Sequence, residues 1–110
     1  MALEVGVFID VPNADSKVIL TYNASAGDFI RAWQVEANPA LTPGTEACAI
    51  SIRNGNQEID SGQLGNYTES ETSILYKPIP PIALDAGDVI TVRITKREVG
   101  TSTQYKAILY

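Results

Sequence analysis

The sequence predicts an antiparallel β-sandwich of about eight strands, and three observations carry that prediction. Apolar and polar residues alternate at period two along most of the chain, the pattern of strands with one buried face. Clusters of Gly, Pro, Asn, Asp and Ser interrupt the alternation at roughly the 8–15-residue spacing expected of such folds. No stretch holds a helical period for long before a breaker closes it. At 110 residues the chain fits a single domain, residues 1–110, with one core.

Leu3, Val5, Val7, Ile9 and Val11 put an apolar residue at every odd position of a first strand. Pro12-Asn13-Ala14-Asp15-Ser16 ends it with turn chemistry. The next strand, 17–23, sets Val18, Leu20 and Tyr22 on one face, and Asn23-Ala24-Ser25-Ala26-Gly27-Asp28 turns the chain. Over 29–37, Phe29, Trp33, Val35 and Ala37 share a face with Arg31. A helix is the rival reading there, because Ile30, Trp33 and Ala37 lie three and four apart. Asn38-Pro39 and Pro43-Gly44 close the segment quickly and favour the strand.

Over 46–53, Cys48, Ile50 and Ile52 alternate with Ala47, Ala49, Ser51 and Arg53. Asn54-Gly55 then signals a hairpin, since both residues tolerate positive φ, and the return strand covers 56–60. Residues 61–72 read as the longest loop, polar and acidic. Residues 73–77 form a short strand with Ile74 and Tyr76 on one face. Pro78-Ile79-Pro80-Pro81 cannot donate ladder hydrogen bonds and marks an edge or a crossover. Asp85-Ala86-Gly87-Asp88 turns tightly into a long strand, 89–97, with Ile90, Val92 and Ile94 inward and Thr91, Arg93 and Thr95 outward. After Gly100-Thr101-Ser102 the last strand runs over 104–110. No internal repeat or low-complexity segment stands out.

Composition removes several classes of function. Apolar residues make up 45% of the chain and charged residues 19%, which argues against disorder and against a coiled coil. The net charge of −5 argues against binding a nucleic-acid backbone. No apolar run reaches the roughly 18 residues that cross a bilayer, so no membrane insertion is expected. Met1-Ala2-Leu3-Glu4-Val5 lacks the basic start and apolar stretch of a signal peptide, and a cytoplasmic location is expected. A single cysteine, Cys48, cannot form an internal disulfide, and the absence of histidine removes the usual zinc ligands. Charge is uneven: residues 1–72 carry 3 basic and 10 acidic side chains, net −7, and residues 73–110 carry 5 and 3, net +2. Solvated acidic loops explain this simply; acidic and basic faces meeting between subunits is the sharper reading.

Two stretches resemble the second half of the jelly rolls of the tumour-necrosis-factor and complement-globular-head kind. They are Ile50-Ser51-Ile52-Arg53-Asn54-Gly55-Asn56 and Leu84-Asp85-Ala86-Gly87-Asp88-Val89-Ile90-Thr91-Val92, with Tyr105 to Tyr110 as an apolar last strand. The resemblance covers about half of the chain, from Cys48 on. It implies a jelly roll that forms trimers. Viral and bacteriophage surface proteins use sandwiches of this size as capsid decoration or fibre heads, so it also implies a virion surface as the setting.

Candidate chemistry is sparse. Cys48 lies on an alternating apolar face and has no histidine to activate it, so it reads as core. Asp85 and Asp88 flank Gly87 and could hold calcium, but two carboxylates beside a glycine are more simply a turn. Trp33 shares its face with Phe29 and Val35 and reads as core. Tyr67, Glu69 and Glu71 in the acidic loop are the candidates for exposed or ligand contacts. No catalytic residue, cofactor or metal is expected. The function expected is a non-enzymatic assembly module, a homo-oligomer with trimer favoured, on a larger assembly such as a virus capsid. Leu3, Val5, Val7, Tyr105, Leu109 and Tyr110 are its candidate interface residues. A carbohydrate-binding module with two or three aromatics on one face or rim is the rival.

Overall fold

A computed structural model describes residues 2–12, 16–38, 40–41, 47–65, 73–96 and 103–110. The described chain is all-β: β1 (Glu4–Val5), β2 (Ile9–Val11), β3 (Ser16–Asn23), β4 (Phe29–Asn38), β5 (Cys48–Asn54), β6 (Gln57–Leu64), β7 (Ile74–Ala83), β8 (Val89–Lys96) and β9 (Thr103–Leu109). They form two antiparallel sheets. One is five-stranded in the order β1-β9-β4-β7, with β2 also on β9; the other is four-stranded in the order β3-β8-β5-β6. From β3 onward each strand lies in the opposite sheet from its predecessor, except β6, which pairs back on β5. That is jelly-roll connectivity. Among the described residues no helix is long and apolar enough to cross a membrane.

The core is the sum of the inward positions that alternation selects. Cys48, Ile50, Ile52, Ile90, Val92 and Ile94 of the four-stranded sheet meet Ile30, Trp33, Val35, Tyr105, Ala107 and Leu109 of the five-stranded one, all buried. Burial of each large aliphatic side chain contributes roughly 1.5–3 kcal/mol. Cys48 is buried among them.

Two irregularities change which residues face inward. Along β4 the ladder to β7 pairs Ile30 with Ile82 and then Ala32 with Pro78, skipping Arg31 on one side and Ile79–Pro81 on the other. The bulge inverts the phase, so Ile30 and Trp33 both point inward while Phe29 turns out to solvent. The three-and-four spacing of Ile30, Trp33 and Ala37 is therefore a bulged strand, not a helix, and Phe29 does not share the face of Trp33. At the N-terminus, Glu4 and Val5 pair with Leu109 and Ile108, but Ile9 pairs with Tyr105, one residue out of register. Gly6 sits at this offset with its N–H 2.8 Å from the Ala107 carbonyl oxygen. A Cβ there would lie 2.8 Å from that same oxygen, so glycine alone fits. The expected first strand is thus broken: Val11 is buried, while Val5 is 58% and Val7 68% exposed.

Other boundaries also shift. β6 continues to Leu64, through the stretch Ser61–Leu64 that reads as loop in the sequence. Gly62 is needed in the strand, because a Cβ would lie 2.6 Å from the Trp33 ring. The corner of the β5–β6 hairpin is Gly55-Asn56, since Asn54 pairs with Gln57. β7 runs through its prolines and pairs only with β4, so they line an edge strand.

On the open side between β6 and β7, one polar group closes the sandwich. The Trp33 indole N–H donates to Asp60 at 2.7 Å, and Lys77 Nζ reaches the other oxygen of Asp60 at 3.0 Å and the Ser61 carbonyl at 2.7 Å. Burial works against the Asp60 carboxylate most strongly, but the Trp33 and Lys77 donors, the Ser61 N–H and the charge of Lys77 together outweigh it and hold its pKa below the ordinary value.

At one end, two turns with the same chemistry grip each other. In Ser25–Asp28 the Asp28 N–H donates to the Ser25 carbonyl at 3.1 Å and the Ser25 N–H to the Asp28 carboxylate at 2.9 Å. In Asp85–Asp88 the Asp88 N–H and the Asp85 N–H make the same two bonds at 3.1 and 2.9 Å. Gly27 and Gly87 adopt φ of 90° and 91°. The Ala24 N–H donates across to the Asp88 carbonyl at 2.8 Å and the Leu84 N–H to the Asp28 carbonyl at 2.9 Å. A short internal repeat is therefore present, Ala-Gly-Asp at 26–28 and again at 86–88, and it pins the β3–β4 and β7–β8 crossovers together. The Asp88 carboxylate is engaged within that turn, and Asp85 joins it through its backbone.

Candidate functional site

The outward positions of the five-stranded sheet form the candidate site. One row crosses Val5, Ile108, Gln34 and Tyr76. The next crosses Lys106, Glu36 and Ile74. Lys106 stands 5.1 Å above the Phe8 ring and 3.8 Å from Glu36, so its charge is balanced within the row. Val5, Val7, Ile74 and Tyr76 are exposed large apolar or aromatic side chains. Gln34, Glu36 and Lys106 stand among them, and exposed apolar side chains gathered on one face rimmed by polar residues mark interaction sites.

At the end of this face lies a shallow, open depression of about 440 Å³, lined by Leu3, Phe29, Arg31, Ala32, Tyr76 and Tyr110. The Tyr76 and Tyr110 rings meet edge to face with centroids 5.7 Å apart. Arg31 lies over the Phe29 ring at 5.2 Å. Backbone bonds fix its walls: the Arg31 N–H donates to the Tyr110 carbonyl at 2.7 Å, and the Tyr110 N–H to the Ala32 carbonyl at 2.9 Å. The β4 bulge sets the geometry, since it turns Phe29 and Arg31 outward beside Ala32.

The opposite face, on the four-stranded sheet, is polar. Its rows read Ser16, Thr95, Ala49, Gln63; then Val18, Arg93, Ser51, Ser61; then Thr21, Thr91, Arg53, Glu58. Arg93 and Thr95 hydrogen-bond Ser16 Oγ at 3.0 and 3.2 Å, and Arg53 donates to the Asn56 carbonyl at 2.6 Å.

The expected interface residues divide. Val5 and Val7 are exposed at the edge of the apolar face, and Leu3 and Tyr110 are half-buried at the depression. Tyr105 and Leu109 are corrected: both point into the core and are fully buried, because they are the inward residues of β9. The outward partner on that strand is Ile108. Trp33 is fully buried, so it offers no surface ring. Tyr67, Glu69 and Glu71 lie outside the described residues. Sequence reasoning missed Phe29, Arg31, Ile74, Tyr76 and Ile108 as surface residues. Ile74 and Tyr76 do share a face, but it is the outer one, with Leu75 turned toward the core.

No protein-family model matches the chain, and no curated protein matches it as a relative.

Proposed function

We propose that this domain is a non-enzymatic structural module that assembles with copies of itself through the outer face of its five-stranded sheet. One observation carries the reading: that face sets Val5, Ile108, Tyr76 and Ile74 around Gln34, Glu36 and Lys106, whereas the rows of the opposite face are polar or charged apart from Val18 and Ala49. A second copy is the natural occupant, because association would bury apolar area that otherwise stays in water. Trimeric order, and a place on the surface of a larger particle such as a capsid, are supported by the jelly-roll resemblance of the second half of the sequence. The rigid sandwich would then present its polar face and loops to the outside.

Sedimentation equilibrium tests this. The wild-type chain is expected to form a single closed oligomer at micromolar concentration. The Tyr76→Glu/Ile108→Glu pair places two charges in the buried patch and is expected to weaken association by about 100-fold or more, near 3 kcal/mol. A wild-type chain that stays monomeric at high concentration would overturn the reading.

A further inference from the structure

We propose that the depression bounded by Phe29, Arg31, Tyr76 and Tyr110 is a binding site for a carboxylate-bearing sugar ring. Among the described arginines, Arg53 donates to the Asn56 carbonyl and Arg93 to Ser16, and the described ion pairs are Lys77–Asp60 and Lys106–Glu36. Among the described residues, the side chain of Arg31 meets only the Phe29 ring, at 5.2 Å. Arg31 lines the open depression. A guanidinium of that kind matches a carboxylate in two parallel hydrogen bonds, and stacking on an aromatic ring pre-orients it.

The rest of the depression suits a ring. Tyr110, braced edge to face by Tyr76, supplies flat aromatic surface, with Leu3 and Ala32 also lining the depression. A volume of about 440 Å³ lies within the range of small-molecule sites. The depression is open, so a ligand must stay hydrated on one side while one face lies on the rings. A pyranose does this: its C–H face packs on aromatics and its hydroxyls remain in water. A purely aromatic acid would leave an apolar face exposed. The chain's net charge of −5 repels anions in general, so binding of an acidic sugar here would be a local property of Arg31.

This site adjoins the assembly patch, which takes the exposed side of Tyr76; its own ligand contacts are Phe29, Arg31 and Tyr110, and it does not rest on self-association. The test is an NMR titration of the isotope-labelled chain with D-glucuronate, D-glucose and acetate, with association state measured on the same samples. Saturable shifts at Phe29, Arg31, Ala32 and Tyr110 with a millimolar Kd for glucuronate, and at least about tenfold weaker response to glucose and acetate, are expected. Arg31→Gln is expected to weaken glucuronate binding by about tenfold or more, and Arg31→Lys to recover only part of it. Tyr110→Ala should weaken both sugars. No saturable shift up to about 50 mM, an equal response to glucose, or undiminished binding by a folded Arg31→Gln chain would overturn the proposal. A monomeric wild type that still binds glucuronate would sink the assembly reading alone.

Discussion

The two outer faces of this sandwich are built by the same alternation of residues, yet what they offer to solvent differs. On the five-stranded sheet Ile108 and Tyr76 flank Gln34; on the four-stranded sheet Arg93 and Ser61 flank Ser51. Both inner faces are apolar apart from Thr103 and Asp60, because each must fill the shared core. Core formation therefore cannot account for the difference outside. A folded monomer would be satisfied by two polar outer faces, and the four-stranded sheet shows that this chain can make one. The exposed Val5, Ile74 and Tyr76 on the other face are the part of the sequence that folding leaves unexplained.

The control arm of the association experiment breaks this comparison most directly. Thr91→Glu/Thr95→Glu puts the same two charges on the polar face. It is expected to leave the sedimenting mass unchanged, against a loss of about 3 kcal/mol for Tyr76→Glu/Ile108→Glu. Equal effects from the two pairs would mean that the faces do not differ in function, whatever their composition.

The next effect is on the core that fixes both faces. Gly62→Val forces a branched side chain against the Trp33 ring, where even a Cβ would lie 2.6 Å away. Overpacking of this kind is expected to cost about 2–3 kcal/mol and to lower Tm by roughly 10 °C or more. Thermal unfolding followed by circular dichroism reads it. An unchanged Tm would show that β6 can move away from Trp33, and the outer rows would then lose their fixed register.

Asp60→Ala comes below that. It leaves the Trp33 indole N–H and the Lys77 ammonium without their shared acceptor, an expected loss of about 1–3 kcal/mol seen in urea unfolding by the emission of the only tryptophan. The pH dependence follows from the direction of the shift. The folded pKa of Asp60 lies below its ordinary value of 3.8, so its stabilisation is complete above that value and disappears as pH falls through the folded pKa. Wild type and Asp60→Ala should therefore converge in stability in acid. A constant gap down to the lowest pH would show that the carboxylate charge is not what matters.

How much of this was legible in the sequence depends on whether periodicity or register decided the outcome. Cys48, Ile50, Ile52, Ile90, Val92 and Ile94 are inward as their alternation predicts, because β5 and β8 pair with each other without interruption. Period two fixes only relative phase, however, and one extra residue reverses it. The offset at Gly6 exposes Val5 and Val7, and the bulge at Arg31 exposes Phe29 and buries Ile30. Both arise from long-range pairing, with Ala107 and with Pro78–Ile82, that no local pattern reports. The depression was illegible for the same reason. Leu3, Arg31, Tyr76 and Tyr110 are distant in sequence and meet only because β9 and β7 flank β4. The turns at Gly27 and Gly87 were each legible, but their mutual grip was not.

Those turns allow the finest test, because there the contrast between the halves narrows to one bond. Ser25–Asp28 and Asp85–Asp88 share their backbone pattern, but Tyr22 donates its hydroxyl to Asp28, while the residue sixty positions on is Ile82. That bond raises the Tyr22 pKa and, with the Ser25 N–H, lowers that of Asp28. The sign follows for each group. The Asp28 contribution is present above its ordinary value of 3.8 and lost as pH falls through the lower folded value. The Tyr22 contribution is present below its ordinary value of 10.0 and lost as pH rises through the higher folded value. Tyr22→Phe should thus be less stable than wild type around neutrality, by less than either change at Gly62 or Asp60. Its deficit should shrink at both extremes of pH. Ile82→Val, a similar small truncation at the equivalent place, should give a deficit that does not vary with pH. Matching pH profiles for the two variants would mean that the hydroxyl adds nothing, and that the reciprocal backbone bonds alone hold this end of the sandwich.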